Sequence, residues 1–122
     1  MKILIVDDEL LLAMDLQSAL SRAGHDVVGF APTPDAALIM AAGTRPALAL
    51  VDINLLGDNE GIDLAQTLKT RFGTDIIFIT AHTDERILAR ARAIEPIAIL
   101  HKPVDQPALF SAIEQASRMA AV

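Results

Sequence analysis

A chain of 122 residues that is 52% hydrophobic is long enough for one domain with a buried core, too short for two typical ones, and not a disordered chain. Its 16 acidic residues outnumber 10 scattered basic ones, for a net charge of -6, which argues against direct binding to a nucleic-acid backbone. Having no cysteine, it can form no disulfide, thiolate metal site or cysteine nucleophile, and its apolar runs are too short for a signal peptide or a bilayer span; the expectation is a cytoplasmic protein without a membrane partner.

Apolar runs predict strands at 3–6, 26–30, 47–51, 76–80 and 97–100. Several are apolar on successive residues rather than alternating, as strands buried on both faces are. Aromatics are only 3% of the chain, so Leu, Ile, Val and Ala must fill the core. Between the strands lie helical stripes. The first carries Leu12, Leu16, Ala19, Leu20 and Ala23, with Gly24 as its stop. Thr33-Pro34 reads as N-cap and first helical residue of a second helix, expected to run to about Ala42 before Gly43. Leu64, Ala65, Leu68 and Phe72 mark the third, stopped by Gly73, and Ile87, Leu88, Ala91 and Ile94 the fourth. Asp105 can cap a fifth that carries Leu109, Ile113 and Ala116. The order is a βα unit repeated five times, which implies an α/β fold with a doubly wound parallel sheet, helices on both faces and right-handed crossovers. One domain over 1–122 is expected.

In such a sheet, ligands bind beyond the carboxyl ends of the strands. Strand one ends in Asp7 and Asp8, strand three in Asp52, strand four in Thr80, and strand five in Lys102 before Pro103. Strand two delivers no charge there, as suits an edge strand. Three converging carboxylates repel unless a cation sits among them, and Mg²⁺ favours hard oxygen ligands. A lysine beside them balances charge and offers a partner to an incoming anion. Single acids after strands are commonly solvated or capping residues; the joint pattern at four strand ends is what carries weight.

The segments IVDDE, VDIN, ITA and HKP, in that order along nearly the full length, resemble the receiver domain of two-component response regulators, here of a stand-alone single-domain type. The resemblance implies a flavodoxin-like receiver fold, a five-stranded sheet in the order 2-1-3-4-5. It implies that Asp52 accepts a phosphoryl group from a histidine kinase or histidine phosphotransfer protein. Asp8, Asp52 and the backbone carbonyl of Asn54 would bind Mg²⁺, and Asp7 would hold it through water. Thr80 would bond a phosphoryl oxygen and act as a switch. Lys102 would pair with Asp52 and then with the phosphoryl group, and the Lys102-Pro103 peptide would be cis. The signal would pass to a downstream protein through the face of helix four, strand five and helix five. Such a chain is not an enzyme beyond its own phosphorylation and dephosphorylation.

The sequence departs from the family pattern in three places. Leu56 stands where a proline is common and Gly61 comes one residue late, so the loop over 54–61 is longer, with Asp58 and Glu60 read as solvated acids. Ile99 replaces a common aromatic, which puts a Thr80–aromatic switch in doubt. Asn54 and His82 occupy the positions that tune hydrolysis of the acyl phosphate; for His82 the competing reading is a plain surface residue. His25 and His101 read as structural. Glu9 reads as a first-turn helix residue favoured by the helix dipole.

Other readings are a phosphate-independent pseudo-receiver scaffold, a Mg²⁺-dependent aspartyl phosphatase, and a nucleotide or flavin binder. The phosphatase chemistry needs an acid where Asn54 stands. The binder needs a glycine-rich phosphate loop after strand one, where this chain has acids.

Overall fold

The five apolar runs form strands, and each is followed by a helix. The computed structural model describes residues 1–55, 60–81 and 84–120. In chain order the elements are β1 (Lys2–Val6), α1 (Leu10–Arg22), β2 (Asp26–Ala31), α2 (Pro34–Thr44), β3 (Leu48–Asp52), α3 (Glu60–Phe72), β4 (Asp75–Thr80), α4 (Glu85–Ala93), β5 (Ala98–His101) and α5 (Gln106–Ala120). All strand pairs are parallel, in the order β2-β1-β3-β4-β5. No helix among the described residues is long and apolar enough to cross a membrane.

Strand alternation divides the core in two. Ile3, Ile5, Leu48, Leu50, Ile77 and Ile79 face Leu16 and Leu20 of α1 and Leu109 and Ile113 of α5. Leu4, Val6, Ala49, Val51, Ile76 and Phe78 face α2, α3 and α4 through residues such as Ala41, Leu68 and Leu88. The central strand β3 is buried at all of its positions, because neighbouring strands close both edges and helices close both faces. The edge strands β2 and β5 are mostly half-buried.

Two helix readings change. On α1, Ala13 is buried and Leu12 only half-buried, while Ala23 is the exposed C-cap residue. Leu12 still packs against the core cluster, so the stripe gains Ala13 and ends at Leu20 rather than Ala23. Helix α2 runs through Gly43 and Thr44, and Arg45 ends it in the left-handed region at φ 50°. The stop comes from Pro46, which disfavours helical geometry in the residue before it. The Arg45 guanidinium lies 5.5 Å from the centre of the Phe72 ring, a cation–π contact that favours the turn. The other end of α2 follows expectation: the Thr33 hydroxyl accepts a hydrogen bond from the Ala36 N–H at 3.1 Å, with Pro34 in the first turn.

Candidate functional site

The carboxyl ends of β1, β3 and β5 deliver Asp7, Asp52 and Lys102 to one rim of the sheet. Each continues the alternation that faces α1 and α5: Ile3-Ile5-Asp7, Leu48-Leu50-Asp52 and Ala98-Leu100-Lys102. The side chains that hold the core together thus hand over, two residues on, to those that form the site. Thr80 continues the other alternation, Ile76-Phe78-Thr80, and is fully buried at the end of β4.

Two local turns hold the buried acids. The Glu9 N–H donates to Asp7 Oδ1 at 2.8 Å, and the Asn54 N–H donates to Asp52 Oδ1 at 3.1 Å. In both cases a carboxylate accepts the amide two residues on, a turn that Asp supports readily. The second oxygens face inward. Asp52 Oδ2 is 3.3 Å and Asp7 Oδ2 3.5 Å from Lys102 Nζ. Carboxylate oxygens of Asp7, Asp8 and Asp52 all lie within 4.8 Å of one another. Asp7 and Asp52 are 2% and 4% exposed, whereas Asp8 is open to solvent. With Glu9, Asn54, Ala81 and Lys102, Asp8 and Asp52 line a cavity of about 250 Å³.

Electrostatics follow from this burial. Asp7 is pushed from 3.8 up to about 6, chiefly by burial, against the bond from the Glu9 amide and with the charge of Asp52 adding to the rise. Burial also raises Asp52, against the attraction of Lys102 and the Asn54 amide. Burial alone would lower Lys102, but its bond to Glu9 and the charges of Asp52 and Asp7 outweigh that and raise it. The cluster is therefore short of positive charge. Asp7 Oδ2 is buried and accepts no hydrogen bond. Three hard oxygen donors, one of them buried without a hydrogen bond, fit a divalent cation such as Mg²⁺.

Of the residues singled out in the sequence, the structure brings Asp7, Asp8, Asp52, Asn54 and Lys102 together. Thr80 is adjacent: its carbonyl accepts the Lys102 N–H at 2.9 Å, which ties the ends of β4 and β5. The Lys102-Pro103 peptide is cis, as expected. His82 and the loop residues Leu56, Gly57 and Asp58 lie outside the described residues.

Two further residues belong to the site. Glu9 is the N-cap residue of α1 rather than part of its first turn, and its side chain makes no capping bond; its carboxylate reaches Lys102 Nζ at 2.6 Å. The sequence signal was present in the run Asp7-Asp8-Glu9, but the partner lies 93 positions away. Gly61 is the second. A Cβ there would stand 2.0 Å from the Asp52 carbonyl oxygen and 2.9 Å from that of Ile53. Its N–H donates to the Ile53 carbonyl at 3.2 Å, so the first turn of α3 rests directly on the backbone that carries Asp52. From the sequence Gly61 reads only as a helix opener; the backbone it rests on comes from a different segment of the fold.

Comparison with known proteins bears on the family and the fold of these residues. The model of the response regulator receiver domain matches residues 3–114. The chain is 42% identical over 113 residues to the phyllosphere-induced regulator PhyR of Methylorubrum extorquens, covering 92% of this chain and 41% of that protein. It is 32% identical over 115 residues to the transcriptional regulatory protein PdtaR of Mycobacterium tuberculosis, covering 94% and 56%. It thus spans only about half the length of these curated relatives. Among solved structures, it is similar to the signal receiver domain of a modulated diguanylate cyclase from Desulfovibrio desulfuricans, with TM-score 0.87, 37% identity, and 94% and 91% of the two chains covered. The match runs almost from end to end and the parallel sheet has the expected order, so the chain belongs to the response regulator receiver domain family of two-component signalling.

Proposed function

We propose that this receiver takes a phosphoryl group onto Asp52 from a phosphohistidine donor, a histidine kinase or a histidine phosphotransfer protein, and signals by contact with another protein. The observation that carries this reading is the setting of Asp52: a buried carboxylate within 4.8 Å of oxygens of Asp7 and Asp8 and 3.3 Å from the Lys102 ammonium. Phosphoryl transfer asks a protein mainly for in-line positioning and neutralisation of charge. Asp8, Asp52 and the Asn54 carbonyl would hold Mg²⁺, with Asp7 acting through water. Bound there, the ion would neutralise phosphoryl oxygens on the acid side of the cavity.

The chain's own residues do the rest. The Asn54 amide fixes one Asp52 oxygen and so orients the nucleophile. An Asp52 oxygen forms the new P–O bond as the donor's P–N bond breaks and its histidine departs. Lys102 then turns from the carboxylate to the phosphoryl oxygens. Thr80 supplies a hydroxyl from the end of β4. Asn54 would tune hydrolysis of the acyl phosphate, a role that the family pattern also offers to His82.

Readout would use the face of α4, β5 and α5. Ile99 is half-buried against the core cluster that includes Leu88 and Ala91 of α4. With an aliphatic side chain there, a change at Thr80 would act through packing against α4 rather than through rotation of an aromatic ring.

Intact-mass measurement with acetyl phosphate and Mg²⁺ tests the proposal. A phosphate adduct on the wild type that is absent from Asp52→Asn and from metal-free samples is expected. Absence of an adduct with acetyl phosphate and with phosphohistidine donors would favour a phosphate-independent scaffold.

A further inference from the structure

Lys102 makes its shortest contact with Glu9, 2.6 Å, rather than with Asp52 at 3.3 Å or Asp7 at 3.5 Å. Glu9 is placed for this by its backbone. Its amide is anchored on Asp7, and its extended conformation, φ -87° and ψ 97°, leaves the side chain free of capping duty. The Glu9 side chain is 61% exposed and that of Lys102 only 15%. The outer carboxylate can therefore swing into water, while the ammonium stays in the rim.

A second observation concerns space. A groove of about 620 Å³ runs between α1 and the segment after β5, lined among others by Leu12, Asp15, Val104 and Gln106. Among the described residues, Glu9 and Lys102 are the two that this groove shares with the 250 Å³ acid cavity. The ion pair is the wall between the two spaces.

We propose that Glu9 is a built-in competitor for Lys102. Its carboxylate engages the ammonium while Asp52 is unmodified and has to give it up when a phosphoryl-like anion arrives, so it sets how readily the site accepts that anion. The proposal rests on the receiver reading above. A dianion on Asp52 needs the Lys102 protons that Glu9 holds, and it meets the negative charge of Glu9 as well. Release of the pair joins the acid cavity to the α1 groove, which links anion arrival to a change on the surface beside α1.

The test is a titration with beryllofluoride, a tetrahedral stand-in for the phosphoryl group, at saturating Mg²⁺. It is followed by NMR on wild type, Glu9→Gln, Glu9→Asp and Asp15→Asn, with the Lys102 ammonium also observed before any metal or anion is added. Loss of an exposed ion pair should make Glu9→Gln bind about two- to fivefold tighter. The Lys102 signal should shift in that variant without ligand. Glu9→Asp, which keeps the charge on a shorter stem, should fall between. Asp15→Asn removes a charge from the same groove but not one of the three acids found at Lys102, and should match wild type. A Glu9→Gln protein that binds no tighter, or an equal gain in Asp15→Asn, overturns the proposal while leaving the receiver reading intact. A wild type that takes up no beryllofluoride overturns both.

Discussion

Two threonines stand at opposite ends of β4, both fully buried, and the rims around them differ. At the amino end, just before the strand, the Thr74 hydroxyl donates to the Pro46 carbonyl at 3.0 Å and its N–H donates to the Leu68 carbonyl at 3.3 Å. Both polar groups that Thr74 donates from are thus satisfied by the chain itself. At the carboxyl end, on the rim that Thr80 shares, Asp7 has a buried oxygen without a hydrogen bond and a pKa raised to about 6. One sheet thus has a rim closed for stability and a rim held short of positive charge. The second rim is where an added cation would lower the energy most.

The largest effect should come from disturbing the support beneath the open rim. Gly61→Ala forces a methyl group onto backbone carbonyls of Asp52 and Ile53, which cannot rotate away. Urea unfolding should show a loss of about 3 kcal/mol or more, at the upper end for overpacking. If the loss were under about 1 kcal/mol, α3 would not bear tightly on the strand that ends in Asp52.

Next comes the cost stored in Asp7. Its folded pKa of about 6 lies above the ordinary 3.8, so the folded protein keeps this proton longer than the unfolded chain. That contribution to stability is fully present below pH 3.8 and is lost as pH rises through about 6. The cost of the charged form is roughly 3 kcal/mol. Asp7→Asn should therefore stabilise the metal-free protein at pH 7.5, by about 2 kcal/mol, and should make no such difference at pH 3.5. Unfolding curves at the two pH values check this. Mg²⁺ should stabilise the wild type at pH 7.5 more than the variant.

The closed rim gives the contrasting case. Thr74→Val keeps the shape but leaves the Pro46 carbonyl without its donor, at a cost of about 1 kcal/mol in thermal or urea unfolding. Phosphorylation of Asp52 should be unchanged. A drop in phosphorylation larger than the stability loss would mean that the two rims communicate through β4.

The smallest effect on stability belongs to Asp8→Ala. Asp8 is exposed, so metal-free stability should move by less than about 0.5 kcal/mol. Mg²⁺ binding by calorimetry and Mg²⁺-dependent phosphorylation should nonetheless be lost. Phosphorylation at the wild-type rate and metal dependence would remove Asp8 from the metal-binding role.

Much of this was legible in the sequence because it depends on short-range pattern. Successive apolar residues marked β1, β3 and β4 as buried strands, and Thr33-Pro34 marked the start of α2, since each reflects local periodicity or capping. The residues Asp7, Asp8, Asp52, Thr80 and Lys102 were visible as polar residues at strand ends. Other features depended on contacts between distant segments. The Val27–Phe30 stretch shows this. A bulge between β1 and β2 pairs Ile3 with Val27 but Leu4 with Gly29, leaving Val28 as the extra residue. Val27 and Phe30 therefore pack on the same side of the sheet, against the α1 and α5 cluster. Strict alternation predicts opposite sides; Gly29 within the strand is a local sign of a bulge, but the pairing with β1 decides which residue is the extra one.

The sequence alone determined the βα order, the central strands and the identity of the acids that gather at the rim, because alternation and strand-end position are properties of the local chain. Tertiary structure decided which charges meet. Lys102 lies closest to Glu9 and not to Asp52, and Gly61 lies under the Asp52 backbone, because parallel crossovers bring residues far apart in the chain within a few ångströms. Charge interactions and steric fit act over distances in space, so neither could be read from spacing along the chain.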